Sequence, residues 1–473
     1  MDASASLTVV QCQRRPDSIV GIVSTTVAPE PYPNQRRAWY GVGVFALMLL
    51  VLFGNAGIIN LLVDDIKRDL HLNDTQVSLV IGFAASALNA LLALPVSRLV
   101  DTLSRRLMLG VGLIILGSSS LATGLAATFG TLFMARLLGG VGGAGSGPAT
   151  YSILADYFPP AKLPRAVSMM NVGFVYGAAL SLLLGATLLT ALRSTPTLTL
   201  PVIGTIRSWQ VIFLITAIPD FLLAILMLTT VLEPPRRGRR ALAAADATSA
   251  RQRAVPVRDV FRFLWDGRAA FGPMFGGLLV TSLAMGVLTW TPMFYVRTYG
   301  WSPAHYGYLQ GIIGLVVSPL GLLAGGYLAE WYAKQGRDDA NLRVVALVST
   351  VHLPMSIAIP LMPSPYIAIT MGAINGFILS MGAGPQNAAL QVLVPNQMRG
   401  QVTALFLFLF SMVGLGISPT LVAVLTNYVF HDESMLRYSI LVINATVLPL
   451  AAYIFWRGVK PYGEAFARAR AWH

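Results

Sequence analysis

The sequence predicts an all-α membrane protein with twelve transmembrane helices in two six-helix halves. Three observations carry this. Apolar stretches long enough to cross a bilayer recur about twelve times, one long basic segment separates the first six from the last six, and the basic residues fall on alternate connections. Twenty helical residues rise about 30 Å, the thickness of the hydrocarbon layer. One such run fits a buried core helix, but twelve in succession cannot surround a water-soluble core.

The spans are read at 39–63, 76–97, 107–126, 129–156, 166–191, 209–232, 270–296, 304–329, 342–361, 364–393, 401–428 and 436–457. The expected organisation is a cytoplasmic tail (1–37), a first half (38–232), a cytoplasmic linker (233–268), a second half (269–457) and a cytoplasmic tail (458–473). The first 35 residues show no apolar signal core and no cleavage site, so no signal peptide is expected.

The chain is 55% hydrophobic and 11% charged, with a net charge of +13. With both termini inside, and with residues at the span ends counted in the adjoining segment, the inner segments hold 26 Lys and Arg, the outer loops hold 6, and Arg136 lies deep within a span. The positive-inside rule then sets the orientation and the localisation, a multi-pass protein of the cytoplasmic membrane. The basic excess is topology, so no nucleic-acid partner is expected. The single cysteine, Cys12, excludes a disulfide framework, and the five scattered histidines show no metal-ligand spacing. No metal and no cofactor is expected, and the protein is read as a monomer whose partners are its substrate and membrane lipids.

Each half carries a short charged loop after its second span. The first reads Ser97-Arg98-Leu99-Val100-Asp101-Thr102-Leu103-Ser104-Arg105-Arg106. The second reads Gly326-Tyr327-Leu328-Ala329-Glu330-Trp331, followed by Lys334, Arg337 and Arg343. An acid at a helix end followed by cations, at matching places, is the trace of an internal repeat.

The first loop resembles the G-x-x-x-D-R-x-x-R-R signature of the major facilitator superfamily, with Ser97 for the Gly and Thr102 for the Arg. The resemblance implies gating roles for Asp101, Arg105, Arg106 and Glu330, the acid tying neighbouring helices together in one alternating state. Four further strings are similar to the spinster-like branch: Asp64-Asp65-Ile66-Lys67-Arg68-Asp69-Leu70-His71-Leu72-Asn73-Asp74-Thr75-Gln76, Gly145-Ser146-Gly147-Pro148-Ala149, Asp156-Tyr157-Phe158-Pro159-Pro160 and Pro395-Asn396-Gln397-Met398-Arg399-Gly400-Gln401. They extend the resemblance over residues 38 to 457. It implies transport of amphipathic lipids by alternating access.

Close helix approach in lipid relies on small residues. Span five has Gly173, Gly177, Ser181 and Gly185 at four-residue spacing; span two has Gly82, Ser86 and Ala90; span eight has Gly314, Ser318, Gly321 and Gly325. The family fold sets spans two and five against eleven and eight, so these stripes are expected on the seam between the halves, where Gly173 and Gly177 would let the halves rock. Static helix packing explains the same spacing.

Ionisable and polar groups at membrane depth are costly and mark function. Arg136 lies about seven residues, or ~10 Å, from the outer end of span four. A guanidinium there suits an anionic head group, or snorkels to the interface. Asn55 and Trp290 are expected at similar depth, with Asn375, Asn171, Tyr176 and Gln386 as further substrate contacts; Asn89, Gln310 and Asn387 are weaker candidates. Asp220, in the middle of span six, is a possible proton site or turns inward to a partner.

The chain departs from the branch at the usual coupling positions. Asn55 and Ala56 stand where an Asp-Arg pair is expected, and Gly143 where a Glu follows the Arg of span four. The expected function is therefore a secondary transporter for an amphipathic, anionic lipid-like or hydrophobic organic acid, working as a facilitator or exchanger. The rivals are a proton-coupled permease for a small organic anion and a transport-inactive membrane sensor. No enzyme is expected, because no catalytic constellation shares one depth, and no phosphate loop supports ATP-driven transport.

Overall fold

The computed structural model describes residues 32–100, 102–159, 162–195, 197–200, 204–235 and 256–469. Among them, eleven helices are long and apolar enough to cross a membrane. The first six spans are Gln35–Ile58, Asp74–Ser78 continuing through Ala85–Val100, Arg105–Gly124, Phe129–Gly143 with Ser146–Tyr157, Leu163–Ala191 and Ser208–Thr230. The last six are Arg268–Ser282 with Met285–Tyr299, Pro303–Lys334, Ala340–Ala358, Pro365–Leu393, Asn396–Phe410 continuing to Val429, and Leu436–Ala469. The fourth predicted span is the one that falls short as a single helix. It breaks at Ala144 and Gly145, inside a run containing Gly139, Gly140, Gly142, Gly143 and Gly147.

The described parts of the expected C-terminal tail and linker contain helix. The tail assigned to 458–473 continues the last helix to Ala469, where Tyr462 is buried and Gly463 packs beside Asp339. The linker assigned to 233–268 contains a helix, Val257–Asp266, with Val260 buried and Phe261 and Trp265 exposed. Residues 1–31 and 236–255 of the expected tail and linker lie outside the described residues.

The two ends of the bundle differ. One, the hairpin face, carries the short helix Val63–Leu70 and a two-stranded hairpin, Thr197–Leu200 paired antiparallel with Gly204–Arg207. The other, the tail face, carries the ends of spans two, four, six and eight.

Helix starts follow capping rules. Ser104 accepts from the Leu107 N–H, Ser302 from the His305 N–H, and Thr128 and Thr131 cap each other reciprocally. The break in span seven, at Leu283 and Ala284, is stitched by Ser418 of span eleven. Its hydroxyl accepts from the Gly286 N–H at 2.6 Å and donates to the Leu283 carbonyl at 2.6 Å. A side chain from a neighbouring helix thus satisfies backbone groups that lipid cannot.

The buried cores show which end is closed. At the hairpin face one core runs through both halves, joining Ile58, Leu62 and Trp209 to Trp290, Phe294, Tyr306 and Val422. At the tail face the buried clusters are separate, and the two largest among the described residues belong to different halves. One holds Phe45, Leu109, Ile153 and Met227; the other holds Phe271, Leu342, Leu390 and Phe455. The halves are fused at the hairpin face and keep separate interiors at the tail face. In spans two and eleven, the π-helical turns Leu79–Ala84 and Ser411–Ile417 pack on each other across the seam, and a Cβ at Gly82 would lie 2.6 Å from the Leu415 carbonyl oxygen.

Candidate functional site

The strongest electrostatic feature was not legible as a site in the sequence. At the hairpin face, Arg297 at the end of span seven grips the fully buried Asp74 with two hydrogen bonds, of 2.6 and 3.0 Å. The same guanidinium donates to Asp64 at 2.8 Å and lies 3.7 Å from Glu433. Lys67 completes the cluster through Asp74 at 2.7 Å and an ion pair with Glu433. Asp64, Lys67 and Asp74 belong to the first half, Arg297 and Glu433 to the second. Ser78 meets Thr420 at 3.2 Å and Asn427 meets Thr75 at 3.1 Å on the same seam. Bidentate Arg–carboxylate pairs are directional and strong, so this network latches the hairpin face shut. The available signal was the lone cation ending span seven and the dense charges of 64–74.

A second cluster lies at the tail face. Arg105, 1% exposed, donates to Glu233 at 3.0 Å, to Ser152 Oγ at 3.0 Å and to the Pro234 carbonyl at 2.8 Å, and it is ion-paired with Asp156. Glu233 also accepts from the Ser104 hydroxyl at 3.0 Å and the Arg106 backbone N–H at 2.7 Å. Its carboxylate therefore sits on the positive N-terminus of span three. Burial alone would raise its pKa, but the Arg106 N–H and the Arg105 guanidinium outweigh burial and hold it below the usual carboxylate range. Arg106 also reaches the Val231 carbonyl at 3.3 Å. These partners all lie in the first half or at its exit, binding the ends of spans three, four and six together. Glu330 is exposed and pairs with Lys334 one turn along at 2.7 Å. Asp101 lies outside the described residues.

Within the membrane, Arg136 is half-buried, and its buried Nε makes no hydrogen bond. No acidic partner for it is found among the described residues. Asn55 of span one donates to Asp220 of span six at 2.8 Å, and Asp220 is turned fully inward, 0% exposed. Trp290 is buried, donates to the Pro419 carbonyl at 2.9 Å, and has the Arg297 guanidinium 5.6 Å from its ring. It fastens span seven to span eleven beneath the latch.

Asn375 belongs to a polar cluster in the second half. It meets His352 Nδ1 at 2.7 Å and donates to Ser356 Oγ at 3.0 Å, while the buried Asn444 donates to the Ser356 carbonyl at 2.8 Å. His352 is one of the five scattered histidines, and its pairing with Asn375, 23 positions away, leaves no local pattern in the sequence. Asn171, Tyr176 and Gln386 are half-buried, as are Asn89 and Gln310. Asn387 is exposed and bonds to the Ala383 carbonyl of its own helix. The structure thus joins Asn55 to Asp220 and Asn375 to His352, but draws no single pocket around all the candidates.

The span-five stripe faces the other way from expectation. A Cβ at Gly173 would overlap the Ala46 carbonyl, and one at Gly177 would lie 2.8 Å from the Leu50 carbonyl, both in span one. Ser181 abuts Gly57 and Gly185 abuts Leu61 and Ile58, again in span one. The stripe seals spans one and five within one half, because four-residue spacing defines a face without naming its neighbour. The seam with span eight is built from Ala179, Leu182, Leu183 and Ala186 against Gly307, Gly311 and Gly314. Gly321 and Gly325 turn to span ten instead, close to the carbonyls of Phe377 and Met381. Gly82 of span two does face span eleven.

Comparison with known proteins agrees with this architecture. The chain is 25% identical over 434 residues to an MFS-type efflux pump of Mycolicibacterium smegmatis, covering 90% of this chain and 94% of that protein. It is 22% identical over 425 residues to a probable L-galactonate transporter of Escherichia coli, covering 86% and 88%. Among solved structures, a bacterial homologue of the human lysosomal transporter Spinster, inward-facing and unoccupied, superposes with a TM-score of 0.72 at 19% identity, covering 92% of this chain and 99% of that one. The sequence matches the Major Facilitator Superfamily over residues 44–419, and the chain belongs to that superfamily of membrane transporters.

Proposed function

We propose that this transporter carries an amphipathic, anionic substrate, either lipid-like or a hydrophobic organic acid, by alternating access. The observation that carries the reading is Arg136, a cation at membrane depth whose buried Nε lacks an acceptor. A buried guanidinium N–H without an acceptor is costly, and an anionic head group relieves that cost through charge-assisted hydrogen bonds. Asn171, Tyr176 and Gln386 add half-buried polar groups for the rest of the head. The hairpin face lies outside and both termini lie in the cytoplasm, as the basic excess of the tail-face segments requires. The form described is then closed outward, and the latch around Arg297 and Asp74 opens when the halves rock. Arg105, Arg106 and Glu330 are positioned to act at the tail face when that side closes. Asn55, Ala56 and Gly143 carry no titratable group, so a coupling proton cannot bind at those positions.

A smaller substrate is the second reading, supported by the sugar-acid carrier among the relatives. Arg136 would serve a compact carboxylate equally well. Counterflow in proteoliposomes separates the two. With no ion gradient, labelled lysophospholipid outside is expected to exchange against excess unlabelled compound inside. Absence of exchange with the lysophospholipid, together with exchange of a labelled sugar acid, would replace the first reading by the second.

A further inference from the structure

We infer that the Asp220 carboxyl is a proton-binding site that links transport to pH. Asp220 follows Pro219 in the middle of span six and is completely shielded from solvent. Its Oδ2 accepts one hydrogen bond, from the neutral amide of Asn55 at 2.8 Å, with the Ser120 hydroxyl of span three beside the carboxyl. Its Oδ1 makes no hydrogen bond.

Among the described residues, no cation compensates it. On the elements packed against span six, the charged and titratable groups are Arg36, Arg37 and Tyr40 of span one, Arg105 and Arg106 of span three, Arg165 and Tyr176 of span five, and Arg207 of the hairpin. Tyr40 bonds to Thr230, Arg105 and Arg106 to Glu233, Arg165 stacks over Trp39, and Arg207 pairs with Asp69. None of them contacts Asp220. An ionised carboxylate with only the neutral Asn55 and Ser120 as donors at this depth carries a large desolvation penalty, and binding a proton removes the charge.

The chemistry is one proton. It comes from water on the side to which the site opens, forms one O–H bond at the carboxyl, and returns to water on the opposite side after the halves rock. Asn55 is half-buried and Asp220 fully buried, so Asn55 must move aside for the exchange. The coupling role rests on the transport reading above; the proton site itself does not.

Infrared spectra of the full-length protein in liposomes test the site directly. At neutral pH the wild type is expected to show the carbonyl stretch of a protonated carboxylic acid that Asp220→Asn lacks and Asp220→Glu restores. Loss of the whole pH-gradient-driven component of labelled lysophospholipid uptake in Asp220→Asn would support the coupling. Identical spectra for the wild type and Asp220→Asn would overturn the proton site. Unchanged gradient-driven uptake in Asp220→Asn would overturn the coupling. A wild type that shows the band but moves no lysophospholipid under any condition would support the proton site while rejecting the substrate reading.

Discussion

Arg297 holds the buried Asp74 carboxylate by both oxygens, and the two residues belong to opposite halves of the molecule. On the proposed alternating-access reading, this pair and the contacts around it must break when the hairpin face opens. Removing one partner of a buried ion pair costs roughly 3–5 kcal/mol where the other is left uncompensated, which is the upper bound here because Lys67 still reaches Asp74 at 2.7 Å. Arg297→Ala is therefore expected to shift the population away from the hairpin-closed form. Ser78, 1% exposed on this seam, reports it: Ser78→Cys should resist a maleimide in the parent and react at least several-fold faster with Arg297→Ala added. Equal labelling rates would mean that the latch contributes nothing to closure.

The two glycine stripes should behave differently when filled. Gly173 touches span one within its own half, so Gly173→Ala overpacks a static interface and is expected to cost about 1–3 kcal/mol, read as a lower unfolding temperature. Gly311 meets Ala179 and Leu183 across the seam, so Gly311→Val should instead oppose hairpin-face closure. The Ser78→Cys labelling rate should rise in Gly311→Val and stay flat in Gly173→Ala.

Glu233 gives a pH prediction. Its carboxyl is held below the usual range by the Arg106 N–H and the Arg105 guanidinium acting against burial. A group depressed in the folded state contributes stability above its unfolded pKa, about 4.3 for Glu, and loses it as pH falls through the folded value. Wild-type stability should therefore drop on acidification below that point more steeply than that of Glu233→Gln. Parallel pH profiles for the two proteins, followed by thermal unfolding, would contradict the assignment.

The fold was legible because lipid forces the backbone into helices whose apolar lengths repeat along the chain. Span four shows the limit: composition read it as continuous, whereas its glycines allow a break at Ala144 and Gly145. The polar groups within the spans could be named from sequence, since an Arg136 or an Asp220 stands out against an apolar background. Their partners could not. Asn55 and Asp220 are 165 positions apart, and Asp74 and Arg297 are 223 apart, so neither pair leaves a local pattern. The span-five glycine spacing fits both a seam and static packing, and only the structure shows that the stripe packs statically on span one.

Head-group charge tests most directly whether Arg136 receives the anionic head of the substrate. Counterflow would be measured for two lysolipids with the same chain, one with an anionic head and one with a neutral head, in the wild type and in Arg136→Gln. A charge-assisted hydrogen bond contributes roughly 1.5–3 kcal/mol, so Arg136→Gln should slow exchange of the anionic lipid about 10- to 100-fold and leave the neutral one little changed. Equal loss for both lipids in a folded variant, or no loss for either, would contradict the account.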